Sequence, residues 1–287
     1  MKYICDILRL SEAALPRQMQ ISGCSLKGAI MTEKYPVVFA GHGSPMNAVE
    51  PGRFRDGWKE MGQRLGKPRA ILALSAHYYT NGQFVNDAAV NRQIFDMYGF
   101  PDELYQVRYA PQSDPETVCR VRELLGTDIR TDSSWGIDHG IWAVLCNMYP
   151  EADIPVVMIS TDGTKTPGEQ YAFGARLSPL REDGVMIFAS GNVVHNLQLV
   201  DWNNKGGAPW AEAFDGYIKK SILENRPMDA VHFNESGLDW QKAVPTPEHY
   251  YPLLAALGAA GKEYRAETWN EGCELGSMSM TSYLFNS

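Results

Sequence analysis

Six histidines occur in the chain, and five stand where an α/β fold would gather them. His42 lies in Gly41-His42-Gly43-Ser44-Pro45, immediately after an apolar run that reads as a strand. His77 lies in Ser75-Ala76-His77-Tyr78 and His195 in Ser190-Gly191-Asn192-Val193-Val194-His195-Asn196, each just past another such run. Open α/β sheets bind ligands at the carboxyl ends of their strands, where loops converge. Three strand-end histidines can therefore point into one volume. His139, in Asp138-His139-Gly140, and His249, after Thr246-Pro247-Glu248, occupy expected helix starts on that same side of a parallel sheet. His232, in Ala230-Val231-His232-Phe233, has no such context and reads as a structural residue.

Imidazole is largely neutral near pH 7 and offers a nitrogen lone pair, which makes it the commonest metal ligand there. Three or four converging imidazoles suit Zn or Fe(II) better than Mg or Ca, which prefer oxygen. An open coordination position would make such an ion catalytic rather than structural. His139 could instead cap its helix, and His249 could be a surface residue. No GxxxxGK[ST] is present, no GxGxxG follows a strand, and HExxH and GxSxG are absent. Ser44 and Ser190 gain no nucleophile motif. The residues alone reach an open metal site and stop there.

The elements that must position these groups alternate between strand and helix, as in a largely parallel sheet. Candidate strands are Pro36–Ala40, Ala70–Ser75, Ile154–Ser160 and Val185–Ser190, nearly continuous apolar runs that suit strands covered on both faces. Candidate helices are Pro115–Leu125, Gly140–Met148, Gly168–Leu177, Trp210–Leu223 and Pro247–Leu257, the last with Thr246 as N-cap and Pro247 at its first position. Ser277–Leu284 reads as one more strand. The stretch from Val90 to Pro111 is rich in Tyr, Phe, Gly and Pro, and reads either as a binding loop or as a packed excursion. Residues 1–30 lack a strand pattern and are expected to be an N-terminal extension, non-native or poorly ordered, outside a catalytic unit over 31–287.

Composition narrows the function classes. With 44% hydrophobic and 21% charged residues, the chain is ordinary globular protein. A net charge of −8 argues against a general nucleic-acid binder, which needs a basic face. No apolar run reaches the roughly 20 residues of a membrane span. Cys5, Cys24, Cys119, Cys146 and Cys273 are scattered without a CxxC pair, so reduced thiols and a cytoplasmic location are expected. The oligomeric state stays open.

Five segments together resemble one family: Gly41-His42-Gly43-Ser44-Pro45-Met46-Asn47, Ser75-Ala76-His77, Trp135-Gly136-Ile137-Asp138-His139-Gly140, Ser190 to Asn196, and Pro245-Thr246-Pro247-Glu248-His249-Tyr250. They are similar to the 4,5-DOPA extradiol dioxygenase group of the LigB-type, or class III, extradiol ring-cleavage dioxygenases. The resemblance runs from about Pro36 to Met280 in the family's order. It implies a single α/β domain with a largely parallel or mixed central sheet flanked by helices. One divalent metal per chain is implied at the strand carboxyl ends, Fe(II) for ring cleavage and Zn often found on isolation. Its implied ligands are His42, His77 and His249, with His195 a further ligand or a neighbouring base. His139 and His195 take the implied acid–base roles, and the implied partners are a catechol, such as DOPA, and O2. Tyr78, Tyr98 and Tyr109 could line the pocket, although aromatic residues are more often core. A larger branch of the class uses two histidines and a carboxylate. Here Glu248 stands beside His249 at the corresponding place. Two other readings remain: a zinc-dependent hydrolase on the same scaffold, and a non-catalytic metal-binding interaction protein.

Overall fold

The computed structural model describes residues 34–287, so the extension expected over 1–30 lies outside the described residues. The strands are β1 (Val37–Gly41), β2 (Ala70–Thr80), β3 (Phe84–Val85), β4 (Arg130–Thr131), β5 (Val156–Asp162), β6 (Val185–Gly191), β7 (Arg265–Trp269), β8 (Cys273–Glu274), β9 (Met278–Ser279) and β10 (Ser282–Asn286). The helices are α1 (Arg53–Leu65), α2 (Asp102–Tyr105), α3 (Pro115–Leu125), α4 (His139–Met148), α5 (Pro167–Leu177), α6 (Pro209–Leu223), α7 (Pro227–Val231), α8 (Trp240–Ala243) and α9 (Tyr251–Ala260).

Eight strands form one sheet in the order β4-β3-β5-β2-β6-β1-β10-β7. Its centre, β5-β2-β6-β1, is parallel. β10 and β7 extend it antiparallel at one side, and β3 pairs antiparallel with β5 at the other. The sheet is mixed around a parallel core, within the expected class. Side chains alternate across a strand, and the central strands divide accordingly. Val37, Phe39, Leu72, Leu74, Val157 and Ile159 join a core with α3, α5, α6 and α9. Val38, Ala40, Ile71, Ala73, Val156 and Met158 join another with α1 and α4. Covering both faces removes any polar side from these strands, which is why they read as unbroken apolar runs. No helix of the described residues is long and apolar enough to cross a membrane.

Three expectations change. β2 continues past His77 to Thr80, its register with β5 shifting between Leu74 and Tyr79. His77 therefore sits within a strand, not beyond one. The last helix begins at Tyr251 rather than Pro247, with Pro252 in its first turn and no side-chain cap. The Thr246 hydroxyl donates to the Glu248 carboxylate instead, and His249 occupies the turn before the helix. The run Ser277–Leu284 splits into β9 and β10.

Candidate metal centre

Three of the four central strands, β1, β2 and β6, each deliver one histidine to the same end of the sheet. His42 follows β1 directly, and its backbone N–H donates to the Gly191 carbonyl at the end of β6. His77 sits beyond the register shift of β2. His195 follows β6 and bridges to Met278. His139 opens α4 and His249 precedes α9. All five rings are neighbours: the His42 centroid lies 5.1 Å from His77, 5.7 Å from His139 and 5.4 Å from His249. The His195 ring stacks on His249 at 3.5 Å. His232 is exposed and stands at the C-cap of α7, away from this group's contacts.

Glycines of the motifs make this convergence possible. A Cβ on Gly191 would lie 2.1 Å from the His249 carbonyl oxygen, which accepts from Asn192 N–H at 2.9 Å. A Cβ on Gly140 would lie 2.9 Å from both the His77 ring and the Ser75 hydroxyl. Neither position has room for a side chain, and both lie where two functional segments touch.

Hydrogen bonds assign the ring protons. The Ser190 hydroxyl donates to the Gly140 carbonyl, so it must accept from Nδ1–H of His42, 2.9 Å away. Nε2 of His42 then carries a lone pair. Nδ1 of His77 lies 3.4 Å from the Asp96 carboxylate, which favours the proton on that nitrogen and leaves Nε2 bare. The two Nε2 atoms face each other at 3.3 Å. His249 donates from Nδ1 to Glu248 at 3.2 Å, freeing its own Nε2. Donor atoms of His42, His77 and His249 all lie within 4.8 Å of one another. Facing lone pairs repel unless a cation stands between them. Two nitrogens bound tetrahedrally at about 2.0–2.1 Å would sit about 3.3 Å apart, so the trio has the spacing of a three-histidine metal site.

Two further trios share that spacing: His77 with Asp96 and His139, and His195 with Glu248 and His249. In the first, a ring N–H already donates to the carboxylate at 3.0 Å. In the second, His249 donates to Glu248. Those protons occupy the direction an ion would need, so the trio of His42, His77 and His249 is the better cradle.

Burial disfavours the charged form of His42, His77, His195 and His249. His42 and His249 are pushed well below the ordinary imidazole value by burial, then by repulsion from the neighbouring histidines. Burial and then His139 bring His77 down to about 3, and burial brings His195 down to about 4. Neutral imidazoles are the form that binds metal. Burial alone would raise the Asp96 carboxyl, but the His139 hydrogen bond and the charges of His139 and His77 outweigh it and the net is downward. Asp138, with no exposure, is pushed up to about 6 by burial and then by Asp96. Its oxygens accept from the Ser75 hydroxyl at 2.7 Å and the Trp135 indole at 3.0 Å, tying α4 to β2.

A model of the catalytic LigB subunit of aromatic ring-opening dioxygenase matches residues 36–286. The chain belongs to that family. Within it, 264 residues are 40% identical to the 4,5-DOPA dioxygenase extradiol of Escherichia coli (strain K12), covering 90% of this chain and 97% of that one. The Beta vulgaris 4,5-DOPA dioxygenase extradiol is 37% identical over 257 residues, covering 87% and 96%. The crystal structure of an uncharacterized protein from Escherichia coli K12 superposes with a TM-score of 0.76 at 36% identity, covering 88% of this chain and 99% of the other. The LigB fold thus accounts for the mixed sheet and for its covered faces.

Sequence reasoning passed over Asp96, Ser190 as a partner of His42, and Asp138. Ser190 and Asp138 lie inside segments already singled out. Asp96 lies in the Val90–Pro111 stretch, where only the reading of that stretch as a binding loop pointed toward it. Among the tyrosines considered, Tyr78 is buried and stacks on Trp135 at 5.0 Å, Tyr109 is buried, and Tyr98 is 92% exposed.

Proposed function

We propose that this LigB-family chain is an extradiol dioxygenase that opens a DOPA-like or otherwise substituted catechol with O2, using one Fe(II) held by His42, His77 and His249. The observation that carries this reading is the pair of bare Nε2 atoms facing at 3.3 Å, each with its other nitrogen already engaged. A DOPA-type substrate is favoured by the names of the relatives, two of which are 4,5-DOPA dioxygenases of 37–40% identity. When bound, the ion supplies Lewis acidity and gathers both reactants, a proximity effect that can reach roughly 7–11 kcal/mol. Zn would occupy the same three nitrogens on isolation.

The remaining work falls to side chains. Ser190 and Glu248 orient His42 and His249 through their Nδ1 atoms, and Asp96 faces that of His77. Such outer partners fix ring orientation and raise ligand basicity. Catechol must lose protons and its ring-opened product must regain one, which calls for side chains with a free lone pair that can take up and return a proton. His139 and His195 take these roles. His139 donates Nδ1–H to Asp96, so Nε2 is the nitrogen left to accept a proton. His195 stands outside the metal-holding trio, half-exposed beside His249.

Anaerobic loading with Fe(II), followed by a panel of catechols and oxygen, tests the proposal. A yellow ring-opened semialdehyde should appear with one O2 consumed per ring. No such product across the panel, together with ester or amide cleavage by the zinc-loaded chain, would replace this reading with a hydrolase.

A further inference from the structure

The stretch between Val90 and Pro111 is tightly held where it approaches the histidines. Ile137 N–H donates to the Arg92 carbonyl at 2.8 Å, and Ile94 N–H to the Ile137 carbonyl at 3.0 Å. The Trp142 indole of α4 donates to the Ile94 carbonyl at 3.0 Å. The buried Asn91 amide donates to the Pro111 and Val156 carbonyls at 3.0 and 2.7 Å. A Cβ on Gly136 would lie 2.4 Å from the Arg92 carbonyl oxygen, so this glycine lets the two segments run side by side. Two residues beyond Ile94, the chain sets Asp96 over the start of α4.

Both oxygens of Asp96 are then committed. Oδ1 accepts from the His139 backbone N–H at 2.9 Å, and Oδ2 accepts from His139 Nδ1 at 3.0 Å. The same Oδ2 lies 3.4 Å from Nδ1 of His77. The side chain is only 15% exposed, so water competes little for these contacts. An ionised carboxylate has no proton to give, and therefore His139 must keep its own on Nδ1. The backbone contact also grips one of the free N–H groups of the helix start, which fixes the ring and the helix terminus together.

We infer that Asp96 is a positioning residue: it holds His139 in the tautomer with Nε2 bare and orients His77 toward His42. The roles of His139 and His77 come from the ring-cleavage reading above, on which this inference rests. The tautomer itself is a property of the resting protein and can be read without turnover.

The experiment uses the full chain, labelled with 15N and loaded with zinc, and its histidine nitrogens resolved by long-range proton–nitrogen correlation. The His139 signals are assigned by their loss in His139→Asn. Wild-type His139 should be protonated on Nδ1 and bare on Nε2. In Asp96→Asn the amide oxygen would stay on the backbone N–H and turn its NH2 toward Nδ1, which moves the ring proton to Nε2. Zinc affinity, measured by chelator competition, should fall about 10- to 100-fold, the usual range for lost outer partners. For the iron-loaded enzyme kcat should fall with KM held within about twofold, and Asp96→Glu should recover part of the loss. Wild-type protonation on Nε2 overturns the inference even if the variant fails to fold, and so does an unchanged tautomer in Asp96→Asn. Unchanged zinc affinity removes the His77 part. If catechols are not cleaved by wild type while the tautomer and zinc results hold, the activity is misassigned and Asp96 keeps its positioning role.

Discussion

His195 and His249 stack face to face, with ring centroids 3.5 Å apart and planes 8° from parallel. An imidazole nitrogen binds an ion along its lone pair, which lies in the ring plane. Parallel rings aim along parallel sheets, so an ion in the plane of His249 would sit well out of the plane of His195. One ion can therefore lie in the plane of only one of the two rings; the proposed ligand set gives that place to His249 and separates His195 from it for proton transfer.

Single substitutions should expose that separation. His42→Ala, His77→Ala and His249→Ala are each expected to lose bound metal, measured as metal per chain after dialysis. His195→Ala should keep its metal and lose about 10²- to 10⁴-fold in kcat, the usual weight of an acid–base residue. Loss of metal from His195→Ala would make it a fourth ligand.

Ser190→Ala should act through His42. The substitution leaves the Nδ1–H of a buried imidazole without an acceptor, at a cost of about 1–3 kcal/mol. Metal affinity should fall about 10- to 100-fold while the other histidines stay in place. Chemical denaturation and chelator competition read the two effects separately.

Gly191→Ala should be strained by packing alone. Its new methyl would meet the His249 carbonyl, 2.1 Å from the ideal Cβ position. Overpacking of this kind costs about 1–3 kcal/mol, and relief by shifting His249 would weaken metal binding as well. Unchanged stability and metal affinity in this variant would show that the turn before α9 yields freely.

Asp138 gives a pH signature. Its carboxyl is raised from an ordinary 3.8 to about 6, first by burial. Between those values the folded chain holds a proton that the unfolded chain has released. The stabilisation is therefore complete below 3.8 and is lost as pH rises through about 6. The side-chain carboxyl 13C resonance of Asp138 should titrate near 6, and a midpoint near 4 would contradict the buried environment.

Much of the sheet was legible because its strands are covered on both faces and so announce themselves as apolar runs. The strand-end histidines followed from that reading. α9 was misplaced for the same reason in reverse: all ten of its residues are buried, so no polar face marks where it starts. The Thr246-Pro247 pair imitated a helix start, but its hydroxyl serves Glu248. β7 was missed as a half-exposed strand at the sheet's edge, with no apolar run to mark it. α1 was overlooked although Phe54, Trp58 and Met61 repeat at helical spacing. Asp96 was illegible because its contact with His139 spans 43 residues and depends on how the Val90–Pro111 stretch lies across α4.

β1, the first strand of the described residues, pairs with β10, the last, Val37 lying opposite Phe285. The strand that presents His42 is thus flanked by residues the ribosome adds almost 250 positions later. β1 can pair with β6 earlier, but its pairing with β10 must wait until that distant segment emerges, and such long-range closure slows folding. A nascent chain halted before β10 should hold the metal poorly even though every proposed ligand has already been synthesised.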